Sequence, residues 1–124
     1  MKISNNCSIS QRAVPDPLLP ELIEFEEGSG CGIGVKLLTH NVMNIQHGSF
    51  SFGPIKVCKN ARIGAYSVIL PGVTIGEGSI IGANSLVTDD IPPFSIAFGS
   101  PAKVIRQLTD SEKEEVNRNY RVNS

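Results

Sequence analysis

Two histidines and three cysteines are the side chains of this 124-residue chain best suited to basic, nucleophilic or metal-binding chemistry near neutral pH. His40 is the stronger candidate for a general base. An unperturbed imidazole is largely neutral at pH 7 and can take a proton from a hydroxyl. His40 also stands at the end of a regular stretch, just before an irregular one. Position alone leaves two readings open, a general base or an exposed corner histidine with no role. His47, inside the irregular stretch, reads as a solvated loop residue. Cys7, Cys31 and Cys58 are odd in number, widely spread and form no C-x-x-C pair, which supports neither a zinc ribbon nor a redox motif. Cys31 falls at an apolar slot and is expected to be a small buried thiol.

The element that must position these groups is a repeat of six. Val57, Ile63, Ile69, Ile75, Ile81 and Val87 follow one another at every sixth position without a miss. Ala61, Ser67, Val73, Ser79 and Ser85 recur four places later, and Gly64, Gly76 and Gly82 directly follow three of the aliphatics. This is neither a helix period nor strand alternation. It is the pattern of a hexapeptide-repeat β-helix, in which each hexad makes a short strand and a turn, and three hexads make one triangular turn. The first residue of each hexad should point inward, where burial is worth about 1.5–3 kcal/mol per Ile or Val. Gly at the second position suits a corner that needs positive φ or close backbone approach.

About four turns follow. The first begins at Ile3 and Ile9, and its third side, residues 15–24, is expected to be irregular because of three prolines. The second runs through Phe25, Cys31 and Leu37. Residues 43–56 lose the period and carry Gly48, Gly53 and Pro54, as an excursion does; long excursions from a solenoid are where ligands usually bind. Regular hexads resume from Val57 to Pro92. The expected organisation is one domain, a solenoid over residues 1–92 and a cap over residues 93–124. Residues 94–108 read as a closing strand or irregular cap. Thr109 and Glu112 form a capping box ahead of a short helix reaching about Tyr120.

Composition agrees with an all-β chain. There are 12 Gly, 8 Pro and no Trp, and 40% of residues are apolar, enough for a core of short strands and tight turns. A net charge of −1 argues against a nucleic-acid partner, while leaving room for a local anion site. No stretch approaches the roughly 18 apolar residues of a membrane span, and residues 1–6 lack an apolar signal core, so no membrane partner and a cytoplasmic location are expected.

The segments Ile63-Gly64-Ala65-Tyr66-Ser67-Val68-Ile69-Leu70-Pro71-Gly72-Val73-Thr74-Ile75-Gly76 and Gly99-Ser100-Pro101-Ala102-Lys103-Val104-Ile105-Arg106 resemble those of the hexapeptide-repeat acyltransferases. Within these, the chain is most similar to sugar and polysaccharide O-acetyltransferases, with the xenobiotic acetyltransferases nearby. The resemblance implies a left-handed parallel β-helix and a homotrimer with active sites between subunits. Periodicity does not give the hand; parallel crossovers are otherwise right-handed in about 98% of cases. The resemblance also implies transfer of an acetyl group from acetyl-CoA to a hydroxyl of a sugar or similar small acceptor, with His40 as base and no metal.

Other positions carry over from the family. Ala65 and Ala83 fall beside the pantetheine arm, and an amide near Ala65 could hold the oxyanion. Thr88 matches a position near the cofactor, and Lys103 and Arg106 match cap cations that meet its phosphates. Asn41 and Asp16 are candidates for binding the acceptor. Three departures stand out. Asn41 replaces the acidic residue that often follows the base, which leaves open what orients the imidazole. Asp89 replaces a lysine beside a triphosphorylated ligand. Arg62 replaces an aromatic and is expected on the outer face. Two further functions compete. One is a non-catalytic β-helix trimer serving as a binding or structural module. The other is a zinc hydratase of the γ-carbonic anhydrase type, disfavoured because two histidines do not make its three-imidazole site.

Overall fold

The computed structural model of the chain describes residues 1–16, 20–41 and 51–122. Its strands are mostly two residues long, as a six-residue repeat with a turn in each hexad requires. β1 (Lys2–Ile3), β2 (Ser8–Ile9) and β3 (Val14–Pro15) make the first rung, and β4 (Ile23–Phe25), β5 (Gly30–Cys31) and β6 (Lys36–Leu37) the second. An antiparallel ribbon of β7 (His40–Asn41) and β8 (Ser51–Phe52) then leaves the coil. β9 (Ile55–Val57), β10 (Arg62–Ile63) and β11 (Val68–Ile69) form the third rung, and β12 (Thr74–Ile75), β13 (Ile80–Ile81) and β14 (Leu86–Val87) the fourth. β15 (Ser95–Gly99) adds to the stack, β16 (Ala102–Gln107) turns back on it, and α1 (Asp110–Val122) follows.

Stacking gives three sheets, one per side of the prism. Side one is β1-β4-β9-β12, side two is β2-β5-β10-β13-β15-β16, and side three is β3-β6-β11-β14. Within these three sheets every described pairing is parallel except the closing β15/β16 hairpin. The solenoid therefore runs beyond Pro92: Ala97 stands in register with Ile81, and Ile91 bridges to Ile75. It also resumes at Ile55, inside the expected excursion, with Ile55 in register with Ile23. The coil is left-handed. The right-handed rule for parallel crossovers rests on a helix packing back on the sheet, and here each crossover is two more strands.

The inward slots are those the six-residue period marks. Val57, Ile63, Ile69, Ile75, Ile81 and Val87 are all buried and form one core with Phe25, Cys31 and Leu37. Four places on, Ser67, Ser79 and Ser85 are buried, and their hydroxyls satisfy the corner backbone. Ser79 Oγ donates to Pro92 O at 2.6 Å and accepts from Ser95 N–H at 3.1 Å.

The two corner requirements are split between two positions. Close approach belongs to the second position: a Cβ on Gly64 would lie 2.6 Å from Ala83 N. Positive φ belongs to the fourth position instead, at Asn60 (61°), Tyr66 (61°), Gly72 (80°) and Asn84 (58°). The expected capping box is present. Thr109 N–H donates to Glu112 Oε1 at 3.0 Å, and Glu112 N–H to Thr109 Oγ1 at 3.3 Å. No described helix is long and apolar enough to cross a membrane.

Candidate active site at one corner of the prism

The chain leaves the coil twice, and both departures start from the corner between sides three and one. The first follows Pro15-Asp16 and the second follows Leu37-Leu38. Pro15 pairs in register with Leu37, so Asp16 occupies the corner slot directly beneath Leu38. Asp16 N–H donates to Leu37 O at 2.8 Å, which fixes its backbone against the second rung.

From that slot the Asp16 carboxylate meets donors on Thr39 and His40. Oδ2 accepts Thr39 N–H at 3.0 Å and lies 2.5 Å from His40 Nδ1. The Asp16 side chain is 0% exposed and that of His40 30% exposed. A carboxylate in its ionised form only accepts, so Nδ1 carries the hydrogen, and in the neutral ring Nε2 carries the lone pair. The arrangement thus selects the tautomer a base needs and gives the imidazolium a buried counter-charge. Asp16 was expected to bind sugar hydroxyls. It is buried, and its carboxylate stands beside the His40 imidazole.

His40 is held on β7, directly opposite Phe52 on β8. The two rings are 6.4 Å apart at their centroids and tilted by 37°, and half of Phe52 is exposed. An apolar surface of this kind beside a base can seat the carbon face of a small acceptor. Asn41 follows on the same strand, opposite Ser51. His47 and much of the 43–56 excursion lie outside the described residues.

The remaining predicted positions do not gather around His40. Ala65 and Ala83 stack one rung apart at the corner between sides two and three, linked by Asn84 N–H to Ala65 O at 2.9 Å. Thr88 belongs to the same corner column as Asp16, two rungs above Leu38, and its hydroxyl donates to Asp89 Oδ2 at 3.2 Å. Lys103 and Arg106 are exposed on β16, opposite Phe98 and Ile96. Arg106 is gripped by Glu112: Nη1 to Oε1 is 2.6 Å and Nη2 to Oε2 is 2.8 Å. Those bonds, then the Thr109 N–H, hold the Glu112 carboxyl down to about 2. Arg62 stands on the outer face, as expected, next to inward Ile63. Cys31 is buried, and burial pushes its thiol up to about 11, which makes it inert as a nucleophile.

Sequence reasoning singled out His40 and Asp16 separately and foresaw neither their pairing nor Phe52 beside the imidazole. A signal for Asp16 existed: Ile3, Ile9 and Pro15 are spaced by six, which places Asp16 in the slot of Leu38 one rung below.

A three-sided parallel coil, with a histidine on a ribbon leaving one corner and paired there to a buried acid, defines a hexapeptide-repeat solenoid with a candidate acid–imidazole site. Comparison with known proteins makes this specific. Residues 54–89 match the bacterial transferase hexapeptide model of six repeats. The galactoside O-acetyltransferase of Escherichia coli K12 is 49% identical over 75 residues, covering 60% of this chain and 36% of that protein. A maltose O-acetyltransferase from Clostridium difficile 630 is similar in structure, with a TM-score of 0.68 at 26% identity, covering 84% of this chain and 67% of the other. A galactoside acetyltransferase solved in complex with coenzyme A gives a TM-score of 0.58 at 27% identity, covering 90% and 67%. The chain has the hexapeptide-repeat coil, and its resemblance to the hexapeptide-repeat acyltransferases is borne out. It spans well under half the length of the curated relatives it matches, for example 39% of one from Staphylococcus aureus and 36% of the Escherichia coli galactoside O-acetyltransferase.

Proposed function

We propose that the protein transfers an acetyl group from acetyl-CoA to a hydroxyl of a sugar or similar small acceptor, with His40 as general base. The observation that carries this reading is the Asp16–His40 pair, a partly exposed imidazole whose Nδ1 is held by a buried carboxylate. That is the arrangement general-base chemistry needs: the correct tautomer, a fixed ring, and stabilisation of the cation that forms.

The residues fit a coenzyme A donor. Lys103 and Arg106 are exposed cations on the closing strand, and Ala65 and Ala83 put only methyl groups along their corner. Acetyl-CoA, when bound, supplies a thioester whose carbonyl carbon bonds to the acceptor oxygen and whose sulfur leaves as thiolate. His40 Nε2 takes the proton from the acceptor hydroxyl, and the same nitrogen returns it to the departing sulfur. Asp16 balances the charge on the imidazolium between those two events. A backbone N–H near Ala65 faces the oxyanion. Phe52 bounds the acceptor side of the base.

The reading includes a homotrimer with its sites between subunits. Support comes from the separation of the parts: His40 and Asp16 stand at one corner of the prism, Ala65 and Ala83 at another. A cleft between two copies brings unlike corners together, whereas one copy cannot.

Thiol release from acetyl-CoA, measured with a panel of sugars, tests the proposal. His40→Ala should lower transfer by about 10²–10⁴-fold, the usual size of general-base catalysis, with an unchanged melting temperature. Activity within a few-fold of the native protein removes His40 from the role of base. The second reading, a non-catalytic trimer that binds or scaffolds, is favoured by Asp89, an exposed acid beside Thr88. Absence of both thiol release and coenzyme A binding would select it.

A further inference from the structure

We propose that Glu112 is a positioning residue for the donor: it holds the Arg106 guanidinium so that its Nε–Nη2 edge meets a phosphate of coenzyme A. The inference rests on the reading that Arg106 meets the donor's phosphates, and it names the residue that makes Arg106 competent to do so.

A guanidinium has five N–H donors in a fixed plane. Glu112 takes one hydrogen of Nη1 and one of Nη2 through a two-pronged contact at 2.6 and 2.8 Å. Gln107 O accepts from Nη1 at 3.2 Å. These three bonds use both hydrogens of Nη1 and one of Nη2. The Nε–H and the second Nη2 hydrogen remain, and they are parallel donors along one edge, the spacing that matches two phosphate oxygens.

The carboxylate that grips Arg106 is itself fixed. Glu112 Oε1 accepts Thr109 N–H at 3.0 Å in the capping box, so its side chain is folded back onto the start of α1. The joint before α1 is anchored by Leu108, which is buried and donates its N–H to Phe94 O at 2.8 Å. The helix is tied to the prism again by Lys113, whose Nζ lies 5.0 Å from the centre of the Phe94 ring, and by Asn60 Nδ2 to Asn117 Oδ1 at 2.9 Å. An exposed arginine ordinarily samples many rotamers, and binding must then pay for ordering it. Here the helix start orders it in advance. Glu112 also brings a negative charge near a polyanion, so the sign of its effect decides between positioning and competition.

The test is calorimetric titration of the whole chain with coenzyme A and, separately, with pantetheine, which lacks the phosphates. Glu112→Gln keeps the capping box, since Gln serves there as well as Glu, but loses the charged fork. It should weaken coenzyme A binding about three- to fivefold, the range of an exposed ion pair, and leave pantetheine binding unchanged. Arg106→Ala should weaken coenzyme A binding at least as much, and adding Glu112→Gln to it should have no further effect. Thr109→Ala removes the cap hydroxyl and leaves the ion pair, so it should lower the melting temperature without moving the dissociation constant. If Glu112→Gln binds coenzyme A as well as or better than the native chain while Arg106→Ala binds worse, the positioning role is overturned and the Arg106 reading stands. If Arg106→Ala binds as the native chain does, the Arg106 reading falls and this inference falls with it.

Discussion

The third and fourth rungs and the first two are built from the same repeat and do different things. From Val57 to Val87 no residue is inserted, every inward slot is aliphatic and buried, and the corners are satisfied by serines and backbone. From Ile3 to Asn41 the chain leaves the coil twice, Ile3 is 49% exposed, and an inward slot is filled by Pro15. The buried acid–imidazole pair lies in the second kind. A regular hexad gives its second to fifth positions to a tight turn. An inserted segment frees that corner, and two insertions at one corner stack the freed positions. Asp16 beneath Thr39 and His40 is the product of that coincidence.

The largest effect expected from breaking this pair is on turnover. Asp16→Asn keeps size and hydrogen-bonding capacity while removing the charge that selects the Nδ1–H tautomer. Transfer should fall by about 10²–10⁴-fold, the scale of such a change in a hydrogen-bonded acid–imidazole pair, with little change in acceptor KM. Kinetics of the purified variant check this. An Asp16→Asn variant as active as the native chain would mean the carboxylate serves only to cap the corner.

Next comes a contrast in stability between equivalent slots. Ile75 is 0% exposed in the fourth rung, and Ile3 stands in the same column at the open end. Ile75→Ala should cost about 2–5 kcal/mol. Ile3→Ala should cost no more than about 0.5 kcal/mol, as an exposed substitution does. Urea unfolding of both variants measures the gap. Equal losses would place Ile3 in a covered environment in solution and collapse the distinction between the two halves.

The regular half was legible because its determinant is local: one aliphatic every six residues, each meeting the same slot one rung away. The capping box was legible for the same reason, Thr109 and Glu112 being three apart, whereas residues 94–108, expected as a closing strand or irregular cap, form an antiparallel pair of strands. The irregular half was harder because its determinants are register and long-range pairing. Pro15 looked like a breaker, yet a proline at an edge strand of the first rung loses no ladder bond below it, and it keeps the period. Asp16 and His40 are 24 residues apart, and they meet only because an insertion of a particular length returns the chain to side one in phase. No local motif encodes that. The second-position glycines were open to two readings, positive φ or close backbone approach, and the packing selects close approach. The left-handed corner residue is as often Asn or Tyr, types whose presence there only the backbone reveals.

A smaller effect concerns the cap that closes the regular half. The Glu112 carboxyl is held near 2 against an ordinary 4.5, first by Arg106 and then by Thr109 N–H. A depressed folded-state value means the unfolded chain binds the proton more tightly, so the contribution is whole above about pH 4.5 and is lost as pH falls toward 2. Native and Glu112→Gln chains should therefore differ slightly in melting temperature at pH 6 and converge by about pH 2. A difference that persists at pH 2 would locate the effect in helix capping rather than charge.

The smallest effect tests the comparison at a single repeat position. Gly72 follows Ile69 by three, as His40 follows Leu37 by three, so the two occupy the same place in successive rungs. Gly72 turns the corner with φ of 80°, while His40 runs outward on β7. If residue type decided between turning and leaving, Gly72 would be indispensable. The packing says otherwise: a Cβ on Gly72 would meet nothing within 4 Å, so only backbone preference opposes a side chain. Asn60 and Asn84 already hold positive φ at the same position of other hexads, and Asn is among the residues that tolerate it best. Gly72→Asn should then cost less than about 1 kcal/mol and leave the circular dichroism spectrum unchanged. A loss of several kcal/mol would mean the corner depends on glycine, and that His40 leaves the coil because of its own local sequence. A small loss assigns the departure to the inserted segment, which makes the acid–imidazole pair a consequence of loop length rather than of the residues at the corner.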